Sequence, residues 1–266
     1  MRTQTIALKV KGKRLRISVR HREGRKELIL FIHGLGCSKE SFHDAFEVSC
    51  LEEYSLLAFD LPGYGHTPPL TDFSYSIEDQ AEICRLLLGT FGKRKVHIVG
   101  HSMGGAIGIL LAGMMGENLL TFANIEGNLI PEDCGLLSRK AISVDFSEFK
   151  RKTFDEIKVH FPSSSQQGAL LWRKWVQRCD PLAFYLSAQS LVRWSDSGEL
   201  LERFLSLKGP KTYIHGEKNA RMKVLSLLGN IPVMSISKSG HFAMSDNPSE
   251  FYQKLARFLS LSYTPA

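Results

Sequence analysis

Val96-His97-Ile98-Val99-Gly100-His101-Ser102-Met103-Gly104-Gly105-Ala106-Ile107-Gly108-Ile109-Leu110 decides how this chain is read. The β-branched run from Val96 to Val99 predicts a strand, and the small and aliphatic run from Gly105 predicts a helix. Between them the chain must turn sharply, with a serine at the apex. Glycines two positions to either side are what such a turn needs, because larger neighbours collide where the backbone folds back on itself. Gly-x-Ser-x-Gly alone also fits a tight structural turn. With a strand before it and a helix after it, Ser102 becomes a candidate nucleophile.

A serine hydroxyl needs a base within hydrogen-bond reach and a third group to orient the base. Ser239-Gly240-His241-Phe242 follows the strand-like run Val233 to Ile236, where a loop can return a side chain to the same end of a sheet. Of nine histidines, His241 is the one so placed. His97 and His215 sit inside strand-like runs and read as core. His33, His66 and His101 read as loop residues that hold those loops by hydrogen bonds, and His21, His43 and His160 have no supporting context. His33-Gly34-Leu35-Gly36 ends the run that starts at Leu28, which suits an oxyanion hole built from the Leu35 and Met103 backbone amides.

Around this centre, strand-like runs recur at Leu28 to His33, Leu56 to Asp60, Val96 to Val99, Phe122 to Ile125, Thr212 to His215 and Val233 to Ile236. Helical segments fall at Lys39 to Cys50, Ile77 to Phe91, Met103 to Met115 and Ser249 to Leu261. Alternating β and α elements with apolar strands predict an α/β fold with a mostly parallel sheet covered on both faces. A hairpin from Ile6 to Val19 adds antiparallel strands at one edge. From about Pro131 to Lys208 the rhythm breaks into amphipathic helical patterns rich in aromatics: Phe146, Phe149, Phe154, Phe161, Trp172, Trp175, Phe184, Tyr185 and Trp194. The implied division is a core of residues 1–130 and 209–266 with a helical cap over 131–208. Ser163-Ser164-Ser165-Gln166-Gln167 reads as a loop.

The 266 residues, 43% hydrophobic and 23% charged, are enough for one large domain with an insertion. No run is long and apolar enough for a signal peptide or a membrane span, so a cytoplasmic protein is expected. Five scattered cysteines without C-x-x-C spacing suggest neither disulfides nor zinc. The net charge of +7 gathers in the first strands, from Lys9 to Lys26. There it alternates with apolar residues, as on a half-exposed edge hairpin, and no nucleic-acid partner is implied.

His33-Gly34-Leu35-Gly36, Phe59-Asp60-Leu61-Pro62-Gly63-Tyr64-Gly65, the turn at Ser102, and Gly240-His241-Phe242 with Asn247-Pro248 occur in the order of the α/β-hydrolase fold. The chain resembles that superfamily from Leu28 to its last helix, and the helical insertion resembles the family's cap. The resemblance implies a Ser-His-acid triad, no cofactor and no metal, with Asp60 shaping a loop.

Many relatives carry the acid after the strand that precedes the histidine loop, in a pattern resembling Gly216-Glu217-Lys218-Asn219. Here an amide, Asn219, stands in that place. Glu126, in Asn124-Ile125-Glu126-Gly127-Asn128, stands after the preceding strand, one step nearer the serine's own. Haloalkane dehalogenases place their acid after this same strand. The alternative for Glu126 is a surface or hinge carboxylate paired with, for example, Arg139. Glu217 and Asp246 are weaker candidates, the first nearer strand than loop and the second serving the start of the last helix.

These readings imply a serine hydrolase of a carboxylic ester, thioester or lactone acting on a small apolar substrate. A serine in place of aspartate argues against dehalogenase and epoxide-hydrolase chemistry. A carbon-carbon hydrolase or lyase, or haloperoxidase-like activity, would use the same residues. A ligand-binding module that does no chemistry remains the alternative from another class.

Overall fold

The computed structural model describes residues 2–92, 95–160 and 164–261. Phe161 and Ser163, placed above in the cap and its loop, lie outside them. Eight strands form one sheet: β1 (Arg2–Val10), β2 (Lys13–Arg22), β3 (Lys26–Ile32), β4 (Tyr54–Phe59), β5 (Val96–His101), β6 (Leu119–Ile125), β7 (Lys211–Gly216) and β8 (Val233–Ile236), in the order β1-β2-β4-β3-β5-β6-β7-β8. β2 pairs antiparallel with β1 on one side and β4 on the other, and every pairing from β4 to β8 is parallel. Every residue of β4 and β5 is buried, so both faces of these strands are covered, as a parallel sheet between helices requires.

The hairpin extends beyond the predicted Ile6 to Val19. Along β2, Leu15, Ile17 and Val19 are buried while Arg14 and Arg16 are exposed, which is the alternation of a strand with one wet face. The predicted helix from Lys39 to Cys50 is instead two 3₁₀ segments, Lys39–Phe46 and Ser49–Leu51. Phe42 leaves helical geometry there, and the Lys39 side chain turns inward to Asp60, 2.7 Å away. α1 (Ile77–Thr90) is capped by the Ser76 hydroxyl, and α2 (Met103–Met115) starts directly after Ser102.

Register brings the ends of the central strands to one line. His101 pairs with Ile125, Ile125 with Ile214, and Gly216 with Ile236. Ser102, Glu126, the 217–219 turn and the loop to His241 therefore leave the sheet at the same edge.

Between β6 and β7 the described residues are helical or irregular, with helices at Leu136–Ile142, Phe154–His160, Gln167–Trp175, Pro181–Ser197 and Glu199–Ser206. Phe149, Phe154 and Phe184 form a buried aromatic cluster that holds these helices to one another. They also grip the loops at the strand ends. The Asp180 amide donates to the Gly63 carbonyl at 2.7 Å, and the Gly168 amide to the Asp246 carboxylate at 2.8 Å.

His97 bears on stability. Its ring is buried, with Nδ1 2.9 Å from the Thr121 hydroxyl, and burial pushes its pKa down to about 4. The unfolded chain therefore binds this proton first. The stabilisation is complete above about pH 6.5 and is lost as pH falls toward 4, with about 3 kcal/mol at stake. Urea unfolding of wild type should weaken over that interval, and His97→Leu should show a shallower pH slope; equal slopes contradict this.

Candidate active site

At Ser102 the amide still donates to the Ile125 carbonyl at 2.9 Å, and then the backbone breaks away at φ 53°, ψ −122°. A non-glycine residue in the left-handed region is strained, and such strain is held only where packing enforces it. Here the packing is explicit. A Cβ at Gly104 would overlap the Ile32 carbonyl, and one at Gly100 would overlap the carbonyl of Gly104. Gly104 lets the start of α2 press against the end of β3, and Gly100 lets it press against the end of β5, which forces Ser102 outward.

Glu126 repeats the pattern one strand over. Its amide donates to the Ile214 carbonyl at 2.9 Å, and its φ of 42° then turns the side chain out of the ladder. The carboxylate is buried and fully engaged. His241 Nδ1 lies 2.8 Å from Oε2, the Gly216 amide donates to Oε1 at 2.8 Å, and Asn219 Nδ2 donates to both oxygens at 2.9 and 2.8 Å. Burial works to raise the carboxyl's pKa, but the His241 bond and charge, with the Asn219 and Gly216 donors, outweigh it and hold Glu126 below its ordinary value. Donation from Nδ1–H to this carboxylate leaves His241 Nε2 as the basic nitrogen.

The loop from His33 to Gly36 is fixed from three sides. His33 Nε2 accepts from the Leu61 amide at 3.1 Å, so its Nδ1–H donates to the Gly34 carbonyl at 2.9 Å. Burial lowers the His33 pKa and keeps that ring neutral. The Trp172 indole donates to the Leu35 carbonyl at 2.9 Å, fixing the orientation of that residue. Met103 is the first residue of α2, where amides have no intrahelical acceptor and the helix dipole favours negative charge.

His101 lies at the end of β5, in the strand rather than in a loop as the sequence suggested. It still holds a loop: Nε2–H donates to the His241 carbonyl at 2.8 Å, and the two rings sit 4.7 Å apart. Burial and then the neighbouring His241 push its pKa well down, so the ring is neutral. His66 reaches Arg178 and Lys39, linking its loop to the helices above.

Ser102 and His241 line one cavity of about 280 Å³, together with Leu35, Trp172, Phe242 and Asp133. Of the aromatics named above between Pro131 and Lys208, Trp172 lines it. Phe184 and Tyr185 are in the aromatic cluster, Trp175 packs on Phe242, and Trp194 lies under Arg203.

Two assignments change. Asp246 does not serve the last helix, which Asn247 caps; it accepts from Gly240, Gly168 and Gln166 and so ties the His241 loop to the helices above. Arg139 pairs with Asp196, not with Glu126. The sequence also concealed what Asn219 does. Its place in the acid's usual loop was visible, but an amide there reads as a loss until a second carboxylate is seen to need a donor.

A family model described as "Alpha/beta hydrolase family" matches residues 29–254. The 2-succinyl-6-hydroxy-2,4-cyclohexadiene-1-carboxylate synthase of Pectobacterium atrosepticum is 25% identical over 248 residues, spanning 87% of this chain and 93% of that protein. Among solved structures, the N-acyl homoserine lactonase AidH with N-hexanoyl homoserine superposes with a TM-score of 0.77 at 20% identity, covering 100% of this chain and 99% of that one. A thermophilic esterase from Thermogutta terrifontis gives 0.78 at 16% identity, covering 98% and 100%. At such identities the two structures share the fold with this chain.

Proposed function

This chain belongs to the alpha/beta hydrolase family, and on that premise we propose that it is a serine hydrolase cleaving a carboxylic ester, thioester or lactone through an acyl-enzyme. The observation that carries the reading is the 2.8 Å contact between Glu126 and His241 Nδ1, beside a cavity that Ser102 also lines. His241 Nε2 takes the Ser102 proton as Oγ attacks the substrate carbonyl. The Leu35 and Met103 amides stabilise the oxyanion, and the imidazolium, paired with Glu126, protonates the leaving oxygen or sulfur. Water, deprotonated by the same ring, then releases the acid and frees Ser102. The helices of residues 131–208 act as the cap, with Trp172 setting the Leu35 amide.

A cavity of about 280 Å³ lies just below the usual range of ligand sites, about 300 to 1,000 Å³. Short to medium acyl groups should therefore be preferred. A second reading, a carbon-carbon hydrolase or lyase using the same residues, is kept because the relative matched over 87% of the chain is named a synthase and not an esterase. A binding role without turnover would leave the 2.8 Å Glu126–His241 contact without a use, and that contact favours catalysis over it.

The test is hydrolysis of chromogenic esters from acetate to long acyl chains, with Ser102→Ala beside wild type. Turnover that falls at least about 10³-fold in the variant supports the proposal. No serine-dependent hydrolysis of any ester contradicts it and moves weight to the second reading.

A further inference from the structure

The cavity wall carries one charged side chain that the chemistry above does not use. Asp133 lies in the 3₁₀ turn Pro131–Asp133 that follows β6, and it lines the cavity with Asn128 and Ser138. Its Oδ2 accepts the Leu129 and Ile130 amides at 2.9 and 3.1 Å, which fixes the side chain. No lysine or arginine is among the described lining residues. Three basic side chains, Arg139, Lys140 and Lys223, are paired outside it with Asp196, Glu156 and Glu132. Glu126 adds a second negative charge behind His241.

We propose that Asp133 sets the charge selectivity of this site, admitting substrates that are uncharged or offer a hydrogen-bond donor at the Asp133 end and rejecting those that carry a carboxylate. The inference rests on the hydrolase reading above. A second carboxylate brought into a cavity without a cation loses its hydration and meets like charge. A hydroxyl or amide N–H, by contrast, gives Asp133 a donor. Crowding by burial already raises the Asp133 pKa to about 6, so the site disfavours even its own negative charge.

The test compares 4-nitrophenyl hexanoate with the 4-nitrophenyl monoester of adipate, which has the same chain length and a terminal carboxylate. Wild type should prefer the hexanoate in kcat/KM by about 100-fold or more. Folded Asp133→Asn, whose amide oxygen can still accept the two backbone amides, should narrow that ratio by at least about 10-fold. Equal kcat/KM values in wild type, or a ratio unchanged in the variant, overturn the proposal. If Asp133→Asn does not fold, Leu137→Lys places a cation in the same wall and must narrow the ratio instead; an unchanged ratio is again contrary. Should wild type hydrolyse neither ester, the hydrolase reading fails separately. Calorimetric binding of methyl hexanoate and monomethyl adipate to Ser102→Ala then decides charge selectivity: preference for the neutral ester upholds it, and equal affinities end it.

Discussion

Glu126→Gln is expected to lower kcat by about 10³–10⁴-fold while the protein stays folded. An amide cannot balance the imidazolium that forms as Ser102 attacks, and its NH₂ group can turn toward His241 Nδ1 and favour the wrong tautomer. The fold should tolerate the change because Gln keeps an oxygen for the Gly216 amide, which now donates to Glu126 at 2.8 Å. Asn219→Ala should cost less, about 10-fold, as the loss of a group that orients a functional carboxylate without meeting substrate. It also removes a donor that lowers the Glu126 pKa. The carboxylate then protonates at higher pH, and the acidic limb of the kcat profile moves upward. Steady-state kinetics of the two variants over a pH series checks both statements. A larger loss in Asn219→Ala than in Glu126→Gln contradicts the assignment.

Lys39→Met should destabilise the protein by about 3–5 kcal/mol, the usual cost of leaving a buried charge without its partner. Lys39 and Asp60 are both almost wholly buried, and Asp60 accepts from the Lys39 ammonium at 2.7 Å, from its amide at 2.7 Å and from the His66 amide at 2.9 Å. Removing the ammonium leaves a carboxylate with two backbone donors and no counter-charge. Lys39→Met combined with Asp60→Asn should recover part of the loss, since the neutral amide oxygen can still accept both backbone bonds. Urea unfolding measures each variant, and a change below about 1 kcal/mol for Lys39→Met would show that water or a neighbouring cation reaches Asp60. The pair matters to the site as well, because it joins the segment after Gly36 to the loop after β4.

Much of this arrangement was legible before any coordinates. β5, the turn at Ser102 and α2 follow from residue size and branching alone, because a strand, a glycine-flanked apex and an aliphatic helix leave little choice locally. His241 and Glu126 were legible from the places they take after successive strands, given the family's sheet order. The segment after Gly36 was not. Its spacing of Phe42, Ala45 and Phe46 suits a helix, yet a long-range pull between Lys39 and Asp60 holds it in 3₁₀ turns, and no local pattern records such a contact. Asp246 was misplaced for a similar reason. Next to Asn247-Pro248 it looks like part of a helix start, whereas its partners Gly168 and Gln166 lie almost eighty residues away and meet it only in the folded chain.

The central claim is that Ser102 is a nucleophile activated by His241 and Glu126, and it can be tested without knowing the substrate. Ser102 Oγ attacking an alkyl fluorophosphonate expels fluoride and leaves a stable phosphonyl ester, which intact-mass and peptide mass spectrometry locate and count. The account predicts one label per chain, on the peptide that contains Ser102, with an inactivation rate at least about 100-fold slower in Glu126→Gln. Labelling elsewhere, or an equal rate in folded Glu126→Gln, would contradict it.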